Sequence, residues 1–212
     1  MQVIDFPRQA IRALMRRIAQ GLQHVTHGRL HPNVVTITSL LAHVPIAYLI
    51  ATRHYAWAAV LLVIFGLFDT LDGELARVQQ RASVQGMLLD AATDRMKETI
   101  LYTSIAYALA LSGHPANAAW AAAACGASIC VSYVKAKGEA AVASGAMAIP
   151  HAKLNRMFKD GLLTFETRIA LLILGLLLNQ LVIVTASIAI LASFTALQRL
   201  VGISKQLTHV RN

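Results

Sequence analysis

Six apolar segments dominate this chain, at about residues 34 to 52, 55 to 76, 87 to 112, 117 to 135, 163 to 179 and 181 to 199. Each is near the length a helix needs to cross roughly 30 Å of hydrocarbon. Hydrophobic residues make up 57% of the 212 and charged residues only 14%, far from the balance of a soluble globular protein. The sequence therefore predicts an all-α integral membrane protein with six transmembrane helices.

The turns between these segments set its orientation. Thr52-Arg53-His54, Ser112-Gly113-His114-Pro115 and Asn179-Gln180 fall on one side, and of the 19 Lys and Arg only Arg53 accompanies them. By the positive-inside rule both termini, the loop at 136–162 and the charged ends of the second and third segments face the cytoplasm, across the cell (plasma) membrane. The net charge of +9 is then a signal of topology, not of nucleic-acid binding.

Residues 1–30 lack the apolar core and small-residue cleavage site of a signal peptide. Phe6, Ile11, Leu14, Met15, Ile18 and Leu22 recur at helical spacing among Arg8, Arg12, Arg16 and Arg17. That pattern predicts an amphipathic helix lying on an anionic cytoplasmic leaflet, ahead of a membrane domain at 31–205. A partner-binding helix would carry the same pattern.

Four carboxylates stand where the second segment ends and the third begins, in Asp69-Thr-Leu-Asp72-Gly73-Glu-Leu-Ala76-Arg77 and Gly86-Met-Leu-Leu-Asp90-Ala-Ala-Thr-Asp94. An unpaired ion at membrane depth is expensive, so such a cluster needs compensation. With about 3.6 residues per turn, Asp69, Asp72, Gly73 and Ala76 share one helical face, and Gly86, Asp90 and Asp94 share another. Oxygen ligands without His or Cys suit a hard cation such as Mg2+ or Mn2+ and disfavour zinc. Residues with almost no side chain beside the acids admit a bulky charged ligand such as a metal-bridged diphosphate, and Arg77 can pair with phosphate. The plain alternative is that the acids are salt-bridged to Arg77, Arg81, Arg95 and Lys97 at helix ends.

The full pattern D-x2-D-G-x2-A-R-x8-G-x3-D-x3-D has eight fixed positions in twenty-six residues and closely resembles the signature of the CDP-alcohol phosphotransferase family. His31-Pro32-Asn33-Val34-Val35-Thr36 is similar to the Pro-Asn-x-x-Thr element that often opens these enzymes. Ser132-Tyr133-Val134-Lys135-Ala136-Lys137-Gly138-Glu139-Ala140 resembles a stretch of the phosphatidylinositol-phosphate synthase branch, where Arg-Ala is commoner than Lys137-Gly138.

The resemblance implies transfer of a lipid-phosphate group from a CDP-linked lipid to an alcohol, with inositol phosphate the first expectation and release of CMP. It implies two metal ions on Asp69, Asp72, Asp90 and Asp94, with Asp94 also the general base. Gly73, Ala76, Arg77 and Gly86 would line the nucleotide side, and Lys135, Lys137, Arg168 and Arg199 would hold the phosphate of a polyol-phosphate acceptor. Glycerol phosphate or another alcohol stays open as acceptor, because Gly161 to Arg168 matches that branch only loosely.

Two other classes compete. A divalent-cation transporter would spread its acids through the membrane depth, whereas here they gather at one end. A catalytically silent homologue would have lost motif positions, and all are intact. Cys125 and Cys130 have no metal-ligand spacing and read as buried hydrophobes, and His24 and His27, which share a helical face, read as surface residues and not as a ligand pair. Ala118 to Ala127 predicts close helix packing against neighbours or a second copy of the chain, so a homodimer is among the expected partners.

Overall fold

The structure, a computed structural model, describes residues 5–144 and 163–209. Most of the expected 136–162 loop lies outside them. The described residues are helical and contain no strand. In order they form α1 (Asp5–Thr26), α2 (Pro32–Ala51), α3 (Tyr55–Gly66), α4 (Phe68–Val78), α5 (Val84–Ala110), a 3-10 turn at Pro115–Asn117, α6 (Ala118–Ala143), α7 (Phe165–Leu177) and α8 (Leu181–His209).

Among the described residues, four helical stretches are long and apolar enough to cross a membrane: Pro32–Ala51, Tyr55–Val78, Pro115–Ala143 and Leu181–Lys205. The two further spans expected from sequence differ for separate reasons. The first half of α5 carries Asp90, Asp94, Arg95, Lys97 and Glu98, and α7 has 13 described residues. Large apolar side chains such as Leu41, Tyr48, Val63, Ile183 and Phe194 are exposed on the spanning helices. In water these faces would be costly, and against lipid they are not.

The chain divides into two compact units, residues 1–101 and 102–212. In the first, α2 packs on α3 and α4, and α1 packs on α4. α1 gives one stripe, Met15 and Ala19 with Leu22 beside them, to a core completed by Val35, Leu71 and Leu75 and flanked by Leu30, Leu67, Phe68 and Val78. Its Ile11, Leu14, Ile18 and Val25 stay exposed. The apolar residues of α1 thus serve two faces, and among the described residues one of them is packed and the other exposed.

The second apolar segment is broken where the motif begins. Ser39 Oγ on α2 lies 3.1 Å from Phe65 O, inserting a side chain into the helical hydrogen-bond ladder. The Leu67 N–H is shared between the carbonyls of Val63 and Ile64, at 3.3 and 3.2 Å. The regular helix is interrupted at Leu67, between α3 and α4. Three helices end in one device that no glycine announces: Arg53, Gln80 and Asn179 adopt positive φ and close paired reverse hydrogen bonds onto the last turn, as His27 does at the end of α1 with Gly28 beside it.

In the second unit, α6 packs against α8 and α7 against α8. α6 buries Ala121, Ala124, Ala127, Ser128, Val131 and Gly138, and the buried stripe of α8 includes Thr185, Ala189, Ala192, Thr195 and Ala196. Small side chains let the two backbones approach. The hydroxyls of Thr185 and Thr195 turn back onto the carbonyls of Leu181 and Leu191, both at 2.7 Å, so neither is left unpaired. Cys125 is half-buried and Cys130 exposed, unlike the buried hydrophobes expected, because the packed stripe of α6 runs past them. α6 also continues to Ala143 instead of ending near 135, through good helix formers and a Lys135–Glu139 pair at 3.7 Å.

The α7–α8 hairpin supplies a test of this packing. A Cβ at Gly175 would stand 2.8 Å from Val184 Cγ2 and 3.0 Å from Val184 Cβ, which is fixed to the backbone of α8. We expect Gly175→Ala to destabilise the protein by about 1–3 kcal/mol through overpacking. Thermal unfolding in detergent, with Gly126→Ala as a control that meets nothing within 4 Å, checks this.

Candidate functional site

α4 is amphipathic in a way that aims its acids. Phe68, Leu71, Leu75 and Val78 meet the α1 core, while Asp69, Asp72, Gly73 and Ala76 lie along the neighbouring face. The turn leading to α5 is pinned to the α1–α2 connection: Gln79 Nε2 donates to Leu30 O at 2.9 Å and Arg81 Nη1 to Gly28 O at 3.0 Å. Ser83 Oγ accepts from the Gly86 N–H at 3.1 Å, a serine cap at the start of α5. From there Gly86, Asp90, Asp94 and Lys97 follow one another along one face.

Asp72 is buried, and Asp69, Asp90 and Asp94 are half-buried. α2 supports the first two. Thr36 Oγ1 donates to Asp72 Oδ2 at 2.5 Å, and Ser39 Oγ is 3.0 Å from Asp69 Oδ1, its one proton shared between that oxygen and Phe65 O. The strongest compensation is ionic. Lys97, with 2% of its side chain exposed, places Nζ 2.7 Å from Asp69 Oδ1 and 2.9 Å from Asp94 Oδ1, tying α4 to α5. Burying an ammonium is tolerable only with such partners.

The other cations expected to neutralise the aspartates have different partners. Arg77 pairs with Glu74 at 2.6 Å, Arg95 with Glu98 at 2.6 Å and only distantly with Asp94 at 3.8 Å, and Arg81 bonds backbone. Arg77 is exposed beside half-buried Gly73 and Ala76. A Cβ at Gly73 would meet Arg77 Nη2 at an ordinary 3.6 Å, so packing within the protein does not demand glycine there. Gly86 is tighter, with Ser83 Oγ 3.3 Å from a notional Cβ.

The donor set fits a hard divalent cation, since it is all carboxylate oxygen and a positive group already sits between two of its members. Among the described residues, no three acidic, His or Cys side chains converge on one point as they stand. The carboxylates would have to turn inward to ligate an ion together.

Of the residues expected to bind an acceptor, the structure separates two pairs. Lys135 and Lys137 are exposed on α6 well before its end, Lys135 paired with Glu139 and Lys137 lying 5.5 Å above the Tyr133 ring. Arg168 and Arg199 are buried. Arg168 Nη1 donates to Leu163 O at 3.4 Å, and Arg199 Nη1 to Val131 O at 3.3 Å. Arg168 occupies the first turn of α7 behind the Thr164 cap, and Arg199 lies within α8, so neither closes its helix.

Sequence reasoning missed Ser39 and took Lys97 for one helix-end charge among several. Both had a spacing signal: Ser39 follows Thr36 by three positions on α2, and Lys97 follows Asp94 by three on α5.

The family model for CDP-alcohol phosphatidyltransferase matches residues 29–201. Phosphatidylinositol phosphate synthase of Corynebacterium glutamicum is 41% identical over 112 residues, covering 51% of each chain. The enzyme of the same name from Cutibacterium acnes is 34% identical over 132 residues, 59% of this chain and 60% of that one. The chain thus matches about half to three fifths of the length of these curated relatives. The crystal structure of Mycobacterium tuberculosis phosphatidylinositol phosphate synthase with CDP-DAG bound superposes with a TM-score of 0.75 at 25% identity, covering 90% of this chain and 94% of that one. The same enzyme has been solved in complex with manganese and citrate, again at a TM-score of 0.75 and 25% identity, over 90% of this chain and 88% of that one. With the motif intact and the family match spanning most of its length, the chain belongs to the CDP-alcohol phosphatidyltransferase family.

Proposed function

We propose that this protein transfers a phosphatidyl or related lipid-phosphate group from a CDP-linked lipid to inositol phosphate, releasing CMP. The observation that carries the reading is the gathering of Asp69, Asp72 and Asp94, through Thr36, Ser39 and Lys97, into one supported cluster beside an open Gly73. Family membership and the similarity to phosphatidylinositol phosphate synthases support the substrate class.

Asp69, Asp72, Asp90 and Asp94 would hold two divalent cations, Mg2+ or Mn2+, which when bound neutralise the diphosphate and the leaving CMP. Gly73, Ala76, Arg77 and Gly86 bound the space for the donor's head, where a larger side chain would hold the diphosphate away. The acceptor's hydroxyl oxygen attacks the phosphorus that bears the lipid. The bond from that phosphorus to the bridging oxygen breaks, CMP leaves with the bridging oxygen, and the hydroxyl proton passes to the Asp94 carboxylate. Arg168 and Arg199 suit an acceptor phosphate better than Lys135 and Lys137, because a buried guanidinium offers a fork of donors.

The same reading makes six spans by adding α5, whose Asp90, Asp94, Arg95, Lys97 and Glu98 are half-buried or buried, and the segment at 163–179 that contains α7, in one membrane domain at 31–205. α1 lies at the interface with Ile11, Leu14 and Ile18 toward lipid and the exposed Arg12, Arg16 and Arg17 toward anionic headgroups. Both termini and the active site face the cytoplasm at the plasma membrane, and a second copy of the chain is a partner through small-residue helix faces.

Purified protein with CDP-diacylglycerol and Mg2+ or Mn2+ should release CMP when offered inositol phosphate, and little with glycerol phosphate, inositol or serine. EDTA should abolish the release, and Asp94→Asn should lower it by about a hundredfold or more. A preference for glycerol phosphate would move the acceptor and keep the chemistry, whereas no release from folded, metal-loaded protein would overturn it. Thr36→Val, which leaves Asp72 without its hydroxyl partner, should weaken Mn2+ binding by roughly 10–100-fold, read by calorimetry.

A further inference from the structure

We propose that Lys97 is a resident counter-cation of the aspartate cluster: its ammonium holds Asp69 and Asp94 in place while no divalent cation is bound, and gives way when one binds. The inference rests on the metal-site reading above and concerns a residue outside the eight-position motif.

Lys97 is an unusual neighbour for a metal site. It is among the largest fully buried side chains, and it stands one turn beyond Asp94 on the same face of α5. An ammonium is a compact point charge with three donors and no acceptor, so it can lie between two carboxylate oxygens much as a metal ion would. It cannot draw them as close. Its contacts of 2.7 and 2.9 Å compare with roughly 2.0–2.1 Å for oxygen on Mg2+. While it occupies that position the acids stay spread, in keeping with the absence of a converged donor set among the described residues.

Two like charges a few ångströms apart in a poorly solvated site repel strongly, so an ion entering beside Asp69 and Asp94 must push the ammonium out. The four-carbon stem allows the retreat without movement of α5. Such a device has two consequences. It preserves the metal-free fold by suppressing repulsion among buried carboxylates, and it lowers metal affinity. Both follow from the same charge, so removing it should move them in opposite directions.

The test compares wild type, Lys97→Met, Lys97→Gln and Lys97→Arg as purified full chains in detergent. Free Mn2+ is titrated by electron paramagnetic resonance, and thermal unfolding is followed in EDTA and in saturating Mn2+. We expect Lys97→Met and Lys97→Gln to bind Mn2+ more tightly, by on the order of tenfold, to melt lower in EDTA, and to gain more from Mn2+ than wild type does. Lys97→Arg should keep more of the metal-free stability than either neutral variant. A purely structural lysine would lower the melting temperature without tightening Mn2+ binding, and unchanged or weaker Mn2+ affinity in both neutral variants overturns the inference. Failure of the wild type itself to bind Mn2+ overturns the metal-site reading and this inference with it, a result distinct from the former.

Discussion

Lys97 between Asp69 and Asp94 is the contact on which the described arrangement of the acidic motif depends. The motif places acids on helices whose other faces are apolar, where unpaired charge is costly. Two neutral hydroxyls from α2 relieve part of that cost at Asp69 and Asp72. A full positive charge relieves the rest and joins α4 to α5 across the turn at Gln79–Ser83. Remove any of these partners and the carboxylates repel one another in a medium that screens poorly.

Around that contact, packing acts mainly to orient. α1 grips the apolar side of α4 through Met15 and Ala19, and the neighbouring face of α4 is thereby turned toward the acids of α5. The interruption between α3 and α4 lies beside a carbonyl engaged by Ser39, whose hydroxyl also reaches Asp69. One side chain on α2 therefore meets both the backbone and a carboxylate. In the second unit the chain uses another strategy, with alanine, glycine, serine and threonine on α6 and α8 giving close backbone approach.

Charge is distributed with the same economy. Arg77 and Arg95 have their shortest ion pairs with Glu74 and Glu98, and Arg95 adds only a longer one, at 3.8 Å, to Asp94. Arg168 and Arg199 are buried and bonded to the backbone carbonyls of Leu163 and Val131.

The sequence by itself determined the helical class, where most of the apolar segments begin, and that acids repeat on one face of α4 and one face of α5. Those features are written in local periodicity, since spanning length and a face repeating every three or four residues need no knowledge of neighbours. It also told which residues are small beside the acids. The tertiary structure alone decided which cation compensates which acid: Arg77, Arg81, Arg95 and Lys97 look equivalent along the chain, and only helix packing brings Lys97 between two carboxylates while sending the arginines elsewhere. It likewise decided that Ser39 breaks the second apolar segment, that α1 divides its apolar residues between α4 and its surroundings, and that Cys130 is exposed. The turns at Thr52-Arg53-His54 and Asn179-Gln180 are legible as gaps between apolar segments, but the left-handed backbone of Arg53, Gln80 and Asn179 is not, because no glycine marks it. Periodicity names the face of a helix, but which partner meets that face is settled by contacts between residues distant in the chain.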